Sequence, residues 1–208
     1  DGMWKQLTPP RHKQLVLDYK KERPNFVVYA EALERTLKKA CKYSLPEALV
    51  QSRAKEVPSF AEKIVRKWDK YNDPIHQMTD LCGARIIVQT IEQVKAVGEF
   101  IEANFFICEK ENKEVLLGKD KFGYRDLHYI IQLKKDRAGF LGIEEAKLQT
   151  IGDRKAEIQV RTWVQHAWAD TLHDRMYKNK LKLSTEVVRT GNLLAALMEE
   201  GDRDFIGS

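Results

Sequence analysis

Long apolar runs are missing from this chain of 208 residues. The longest, Leu-Leu-Ala-Ala-Leu-Met at 193–198, is far shorter than the roughly 20 residues that a membrane span needs, so we expect no membrane-embedded segment. We also find no charged start followed by an apolar stretch and a cleavage site, which argues against a secretory signal. With 11 glycines, 6 prolines and 43% apolar residues, the composition excludes collagenous and disordered classes and predicts a folded domain.

Cysteine is scarce as well, and neither sign of charge dominates. Cys41, Cys82 and Cys108 are odd in number and widely spaced, which favours a reducing compartment, so we expect a cytoplasmic protein. Lys and Arg total 36 against 31 Asp and Glu, a net charge of +5. This excess is compatible with a phosphate or nucleic-acid partner and equally with a solvated basic surface, so charge alone decides little.

The N-terminal part of the chain has the pattern of a helical arm. Apolar residues recur at helical spacing from Arg11 to about Tyr43, and Pro24 predicts a break between two helices. We therefore expect an arm over residues 1–44 and a domain over 45–208, which together form one compact unit.

Helical and strand patterns alternate in the rest of the chain. Further helices are predicted at 59–68, with Ser59 as its cap, at 92–103, from Thr162 onward and at 184–200. Strands are predicted at 81–88, 105–108, 128–133 and 156–161, the last two forming an antiparallel pair. This order predicts an α+β fold, a small mixed β-sheet flanked by helices.

A row of cations has the spacing of one helical face. Lys55, Ser59, Lys63 and Lys67 follow one another at intervals of four residues, and Arg53 stands just before them. Such a row can bind a polyphosphate, because Arg offers a planar fork of donors and Lys offers point charges. A solvated basic helix face explains the same pattern, so the row alone leaves both interpretations open.

Two carboxylates stand at the ends of predicted strands. Asp80 precedes one strand and Glu157 starts another, with Gln159 and Arg161 on the same strand face as Glu157. Carboxylates placed in this way can share Mg²⁺, which keeps open positions for phosphate oxygens. Salt bridges from Asp80 to Arg85 and from Glu157 to a neighbouring lysine are the alternative explanation.

A loop before one predicted strand carries an aromatic side chain suited to a base. The loop 122–128 enters a strand, and its Tyr124 offers a ring on which a purine base can stack, although such a tyrosine is more often a half-buried strand residue.

His166, Asp170 and His173 share one helix face, but no fourth zinc ligand is evident, so a polar helix seam is the better interpretation.

Taken together, these motifs resemble the synthetase domain of the Rel/SpoT family, the enzymes that make the alarmones (p)ppGpp. The resemblance covers roughly residues 45–205 and implies a nucleotidyltransferase-like alarmone synthetase fold. The matching runs are Arg53-x-Lys55-x-x-x-Ser59-x-x-x-Lys63, Asp80-Leu-x-Gly-x-Arg85, Gly123-Tyr-Arg-x-Leu-His128, Glu157-Ile-Gln-Val-Arg-Thr162, Gln165-His-Ala-Trp-Ala169, His173-Asp174 and Tyr177-Lys178. The chain is similar to a small alarmone synthetase or to its toxic relatives.

The resemblance implies an ATP site. The adenine would lie between Arg53 and Arg85, and the phosphates against three residues of the cation row, namely Lys55, Ser59 and Lys63. Mg²⁺ is the implied cofactor, held by Asp80 between the β- and γ-phosphates. Glu157 would complete the metal site or help deprotonate the acceptor's 3′-hydroxyl, and Gln159 would orient nearby groups.

The same resemblance implies an acceptor site for GDP or GTP, formed by Lys121, Tyr124, Arg125 and His128. The expected reaction moves the β,γ-pyrophosphate of ATP to the acceptor's 3′-hydroxyl and releases AMP. Phe122 and Asp126 depart from the Asn and Ser usual in the family, which leaves the acceptor open.

Two other functions therefore remain as alternatives. One is a toxin-type relative that makes adenosine alarmones or pyrophosphorylates the 3′ end of tRNA. The other is a catalytically silent module that binds nucleotide or RNA. Assembly with further copies of the chain and binding by an antitoxin protein also stay open.

Overall fold

The computed structural model describes residues 8–112 and 127–169, together with Leu193 and Leu197, which are helical. The helix predicted at 184–200 otherwise lies outside the described residues. Within the described part of the chain, no helix combines the length and the apolar composition that crossing a bilayer requires.

The first helix, α1, runs without interruption from Pro9 to Ser44, so the break predicted at Pro24 is wrong. Pro24 is exposed, whereas Tyr19, Phe26 and Tyr29 on either side of it are buried. A proline in a helix costs one backbone hydrogen bond, but the buried stripe on both sides of Pro24 keeps the helix continuous because packing dominates helix stability in a folded domain.

The other elements alternate between helices and strands. In chain order they are β1 (Leu49–Ala54), α2 (Val57–Arg66), α3 (Pro74–Gln77), β2 (Cys82–Val88), α4 (Ile91–Asn104), β3 (Phe105–Asn112), β4 (Leu127–Leu133), a short 3-10 turn (Lys135–Arg137), α5 (Ala138–Leu141), α6 (Glu145–Ile151), β5 (Ala156–Thr162) and α7 (Trp163–Trp168).

Most of the predicted strands and helices are confirmed within a residue or two, with three corrections. β3 continues to Asn112 instead of ending at residue 108. β1 and the short helices α3, α5 and α6 were not predicted at all. Helix α2 begins at Val57, with Glu56 at its N-cap position, so Ser59 lies inside the first turn and does not cap it. Pro58 fits that first turn because the N–H it lacks has no helical partner there.

The strands form one five-stranded mixed sheet in the order β1-β2-β5-β4-β3. β2 and β5 are parallel, and the other neighbouring pairs, including the predicted pair β4–β5, are antiparallel. The α+β prediction of a small mixed sheet flanked by helices is therefore confirmed.

The two faces of the sheet differ in polarity. One face carries buried apolar side chains on its central strands, among them Ala84 and Ile86 of β2, Ile158 of β5 and Tyr129 of β4. Helix α4 lies over this apolar face, since a Cβ on its Gly98 would stand 2.8 Å from the Tyr129 hydroxyl. The other face is polar toward the start of β2 and β5.

Candidate functional site

Strand register gathers the sequence-predicted residues on the polar face. Arg53 lies opposite Gly83, and Gly83 lies opposite Glu157, so these three form one row across β1, β2 and β5. Arg85 lies opposite Gln159, which in turn lies opposite His128 in the next row. Residues that are up to about a hundred positions apart in sequence therefore share one surface.

The cation row is not a helical face, which corrects that prediction. Arg53 belongs to β1, Lys55 to the connection that follows it, and Ser59 and Lys63 to α2. The spacing of four residues suggested a helix because the pairing of β1 with β2 leaves no trace in the local pattern. The chain nevertheless brings Lys55 and Lys63 together, at one carboxylate.

That carboxylate is Asp80, just before β2. Lys55 Nζ lies 2.9 Å from its Oδ2 atom, and Lys63 Nζ lies 2.7 Å from its Oδ1 atom. Burial of Asp80 acts to raise its pKa, but the two ammonium groups outweigh this, so the pKa lies below its ordinary value and the group is ionised at neutral pH. The ion pairs of Asp80 are made with these lysines, where the sequence had offered Arg85 as the alternative.

Glu157 has a different environment on β5. Its Oε1 atom lies 3.0 Å from His128 Nδ1 and accepts a hydrogen bond of 2.9 Å from Gln159 Nε2. The buried Arg161 donates in turn to Gln159 Oε1. Burial acts to raise the pKa of Glu157, and so does the nearby charge of Asp80. The contacts with His128 and Gln159 lower the pKa by more, so it lies below its ordinary value. Glu157 is therefore a second ionised carboxylate in the electrostatic range of the first.

Lys55, Asp80, Glu157 and Gln159 line one open cavity of about 540 Å³, whereas Lys63, His128 and Arg161 are not part of its lining. Seven of the residues predicted from sequence line it, namely Arg53, Lys55, Ser59, Asp80, Arg85, Glu157 and Gln159. Its volume falls in the range of small-molecule sites, and its charged lining suits a polar, anionic ligand. Seven candidates from different segments of the chain therefore lie around one cavity, while their roles stay a prediction.

Sequence reasoning missed other residues of the lining, notably Glu34, Gln51 and Glu56. Glu34 lies on α1, where its Oε2 atom accepts a hydrogen bond from the Ser52 backbone N–H at 3.0 Å. Alternation along β1 could have placed Gln51 beside Arg53 if the strand had been recognised. No local signal connects Glu34 with the site.

The two carboxylates fit a magnesium ion bound together with a phosphate ligand. The Oδ1 atom of Asp80 is buried and, although Lys63 is close, it receives no aligned hydrogen bond from the described residues. No group of three or more His, Cys, Asp or Glu side chains suited to a metal occurs among residues 8–112 and 127–169. Mg²⁺ commonly uses one or two carboxylates and completes its shell with phosphate oxygens and water, which this pair allows.

Several predicted residues lie outside the described part of the chain. They are Lys121, Tyr124 and Arg125 of the predicted acceptor site, the departures Phe122 and Asp126, and Asp170 and His173 of the histidine pattern. His166 is described and lies on α7, where its ring stands 6.1 Å from that of Trp163.

The fold is a mixed-sheet α+β domain with a charged cavity on one face of the sheet, and comparison with known proteins identifies its family. The family model described as "Region found in RelA / SpoT proteins" matches residues 52–182, more than half of the chain. The chain therefore belongs to the RelA/SpoT family, as the motifs predicted.

A curated relative and two solved structures illustrate the similarity. GTP pyrophosphokinase YjbM of Bacillus subtilis (strain 168) is 28% identical over 139 residues, which is 64% of this chain and 58% of that protein. Small alarmone synthetase 2 from Bacillus subtilis has a TM-score of 0.71 at 22% identity and is matched over 91% of this chain and 97% of its own. Small alarmone synthetase 1 from the same organism has a TM-score of 0.69 at 20% identity, and the match covers 90% of this chain and 94% of that one. The fold is thus that of the small alarmone synthetases.

Proposed function

We propose that this chain transfers the β,γ-pyrophosphate of ATP to the 3′-hydroxyl of GDP or GTP, which yields (p)ppGpp and AMP. The observation that carries the proposal is Asp80, held between Lys55 and Lys63 in a cavity that it shares with Glu157. Lys55 and two carboxylates in one cavity, with Lys63 paired to Asp80, suit a metal-bound triphosphate, because they can bind its charge and neutralise the charge that moves during transfer.

On this proposal, the chain's own residues bind and orient both nucleotides. Arg53 and Arg85 would flank the adenine from adjacent strands, and Lys55, Lys63 and Ser59 would bind the phosphates. Asp80 and Glu157 would hold Mg²⁺, which supplies Lewis-acid stabilisation of the phosphate charge when bound. These assignments are supported by the shared cavity and by family membership.

In the proposed reaction, the acceptor's 3′-oxygen attacks the β-phosphorus of ATP. A bond forms between these two atoms, and the bond from the β-phosphorus to the oxygen it shares with the α-phosphorus breaks, so AMP leaves with that oxygen. The hydroxyl proton passes to Glu157 or to water. His128 and Gln159 would keep the Glu157 carboxylate oriented toward the hydroxyl, since both contact it in the structure.

Relatives support nucleotides as the substrates. Small alarmone synthetase 1 from Bacillus subtilis has been solved bound to AMPCPP and bound to its product pppGpp. The same fold extends to the Type VI effector Tas1, solved with its immunity protein, at 12% identity and a TM-score of 0.55. The acceptor is therefore the part of the proposal that most needs a direct test.

The test is a labelled-transfer assay. The protein is incubated with Mg²⁺, ATP labelled in its β- and γ-phosphates, and separately GDP, GTP, AMP, ADP or bulk tRNA. We expect label on the guanosine nucleotides together with released AMP. Label on tRNA or on adenosine nucleotides would replace the proposal with the toxin-type function, and nucleotide binding without transfer would favour a silent module.

The role of Asp80 has its own test. Asp80→Asn keeps the side-chain shape but frees Lys55 and Lys63 from their carboxylate, so ATP without metal should bind at least as tightly as to the unaltered protein. Mg²⁺ should then no longer strengthen ATP binding, and transfer should be lost. Asp73→Asn is the matched control, because Asp73 is exposed and pairs with His76, away from the cavity. An Asp80→Asn protein with unchanged Mg²⁺ dependence would rule out Asp80 as a ligand.

A further inference from the structure

The backbone of Lys55 is fixed at both of its polar groups. Its N–H donates to the Leu81 carbonyl at 2.8 Å. Its carbonyl accepts two hydrogen bonds, one of 2.6 Å from the Tyr19 hydroxyl and one of 3.0 Å from Arg23 Nε. Both of these donors belong to α1, which precedes the residues 52–182 matched by the family model.

The two donors are themselves held firmly. Tyr19 is fully buried and stacks on Phe60 of α2, with 4.2 Å between the ring centroids. Arg23 also forms an ion pair with Glu56, the residue that follows Lys55, with 2.5 Å between its Nη2 atom and Glu56 Oε1. Helix α1 therefore contacts Lys55 and Glu56 of the β1–α2 connection and Phe60 of α2.

A fixed backbone matters most for a long, flexible side chain. A lysine ammonium is a point charge on a four-carbon stem, and much of its binding strength is lost as rotamer freedom when it must be ordered by the ligand. The hydrogen bonds to its N–H and its carbonyl fix the position from which the Lys55 side chain extends, and the ion pair with Asp80 holds its ammonium at the other end. Such preorganisation lowers the cost of binding.

We infer that Tyr19 and Arg23 are positioning residues that aim Lys55 into the cavity and thereby set the affinity for the ATP phosphates. The part that concerns Lys55 rests on the contacts alone, and the part that concerns ATP rests on the proposed function. Helix α1 is then a working part of the site, although it supplies no residue to the recognised motifs.

The first experiment needs no nucleotide. Lysines are acetylated with a limiting amine-reactive reagent, and the rate at Lys55 is measured by mass spectrometry against the exposed Lys39. We expect Tyr19→Phe combined with Arg23→Gln to raise the Lys55 rate several-fold. The matched control is Tyr29→Phe, because Tyr29 lies on the same helix, is fully buried, and its hydroxyl has no hydrogen-bond partner among the described residues. An unchanged Lys55 rate in the folded double variant overturns the inference.

The second experiment measures AMPCPP affinity by calorimetry with Mg²⁺ present. Loss of two hydrogen bonds to one carbonyl should weaken binding by about three- to tenfold, and Tyr29→Phe should leave it unchanged. In a Lys55→Ala background the same double variant should have no further effect, whereas a merely structural role would make the two losses additive.

The two readouts separate the claims. Faster labelling of Lys55 with undiminished AMPCPP affinity overturns the link from α1 to ATP. Faster labelling in a protein whose unaltered form binds no AMPCPP overturns the proposed function and leaves the positioning of Lys55 supported. Tyr19→Phe alone removes a single oxygen from a buried ring, so it carries the test if the double variant does not fold.

Discussion

Gly83 offers the sharpest test of where a ligand lies. It is the middle residue of the row formed with Arg53 and Glu157, and it lines the cavity. A Cβ built on Gly83 meets no atom within 4 Å, and its φ is not in the left-handed region. The space above this glycine is therefore open, and nothing in the described part of the chain requires the absence of a side chain there.

The expected magnitudes follow from that geometry. Replacing a glycine in a compatible conformation restricts the unfolded chain, so Gly83→Ala should raise the free energy of unfolding by about 0.4–1 kcal/mol. Gly83→Val should fold equally well, because a β-branched residue suits a strand. If the ATP analogue lies over β2, forcing extra methyl groups against it should cost about 1–3 kcal/mol, which is about 5- to 150-fold in affinity.

Gly98→Ala is the control, because the same kind of change there should have the opposite result. Its new Cβ would stand 2.8 Å from the Tyr129 hydroxyl, which donates to Glu102 Oε1 at 2.6 Å. Displacing that hydroxyl should lower the free energy of unfolding by about 1–3 kcal/mol. AMPCPP affinity should stay the same, because Gly98 lies over the apolar face of the sheet and the cavity lies on the polar face.

The assay combines urea denaturation with calorimetric titration of AMPCPP. A Gly83→Val protein that is stable and binds AMPCPP with unaltered affinity would refute the placement of the ligand over β2. A Gly83→Ala protein that is clearly destabilised would refute the open space above the strand.

Two other predictions concern carboxylates. Glu157→Gln should lower kcat far more than nucleotide affinity, because its charge acts in the transition state, and steady-state kinetics showing a loss of affinity alone would contradict that role. Hydrogen bonds from Arg154 and Asn25 hold the pKa of Glu22 below its ordinary value of 4.5. The resulting stabilisation is present above that value and is lost as pH falls through the folded pKa, so Glu22→Gln should flatten the fall in the free energy of unfolding with acid pH, measured by urea denaturation at several pH values. An unchanged acid slope would speak against this ion pair.

The parts of the fold with a strong local pattern could be predicted from sequence. β2 and β5 carry β-branched residues and a clear alternation, and their bounds agree with prediction to within a residue. β1 was missed because the apolar and polar residues of Leu49-Val-Gln-Ser-Arg-Ala54 do not alternate, and its three polar residues, Gln51, Ser52 and Arg53, line the cavity. Local pattern thus fails where a strand serves the site more than the core.

The candidate site divides in the same way. Family motifs predicted Asp80, Glu157 and their neighbours as site residues, and the structure brings these two carboxylates to one cavity. They could not reveal that Tyr19 and Arg23 hold Lys55, because those hydrogen bonds join residues more than thirty positions apart. Contacts between distant segments leave no periodic signal, and three-dimensional packing alone brings them into view.

The row geometry also bears on how two nucleotides could meet. Ligands of parallel sheets usually bind beyond the strand ends, but here the candidate residues lie across the face of the sheet. From β1, which carries Arg53, to β4, which carries His128, there are three strand spacings, about 14 Å in all. That width accommodates a donor over β1 and β2 beside an acceptor over β5 and β4. Glu157 lies on β5, the strand of the acceptor half that adjoins β2, so in the proposed reaction the transferred group would need to cross only the boundary between β2 and β5.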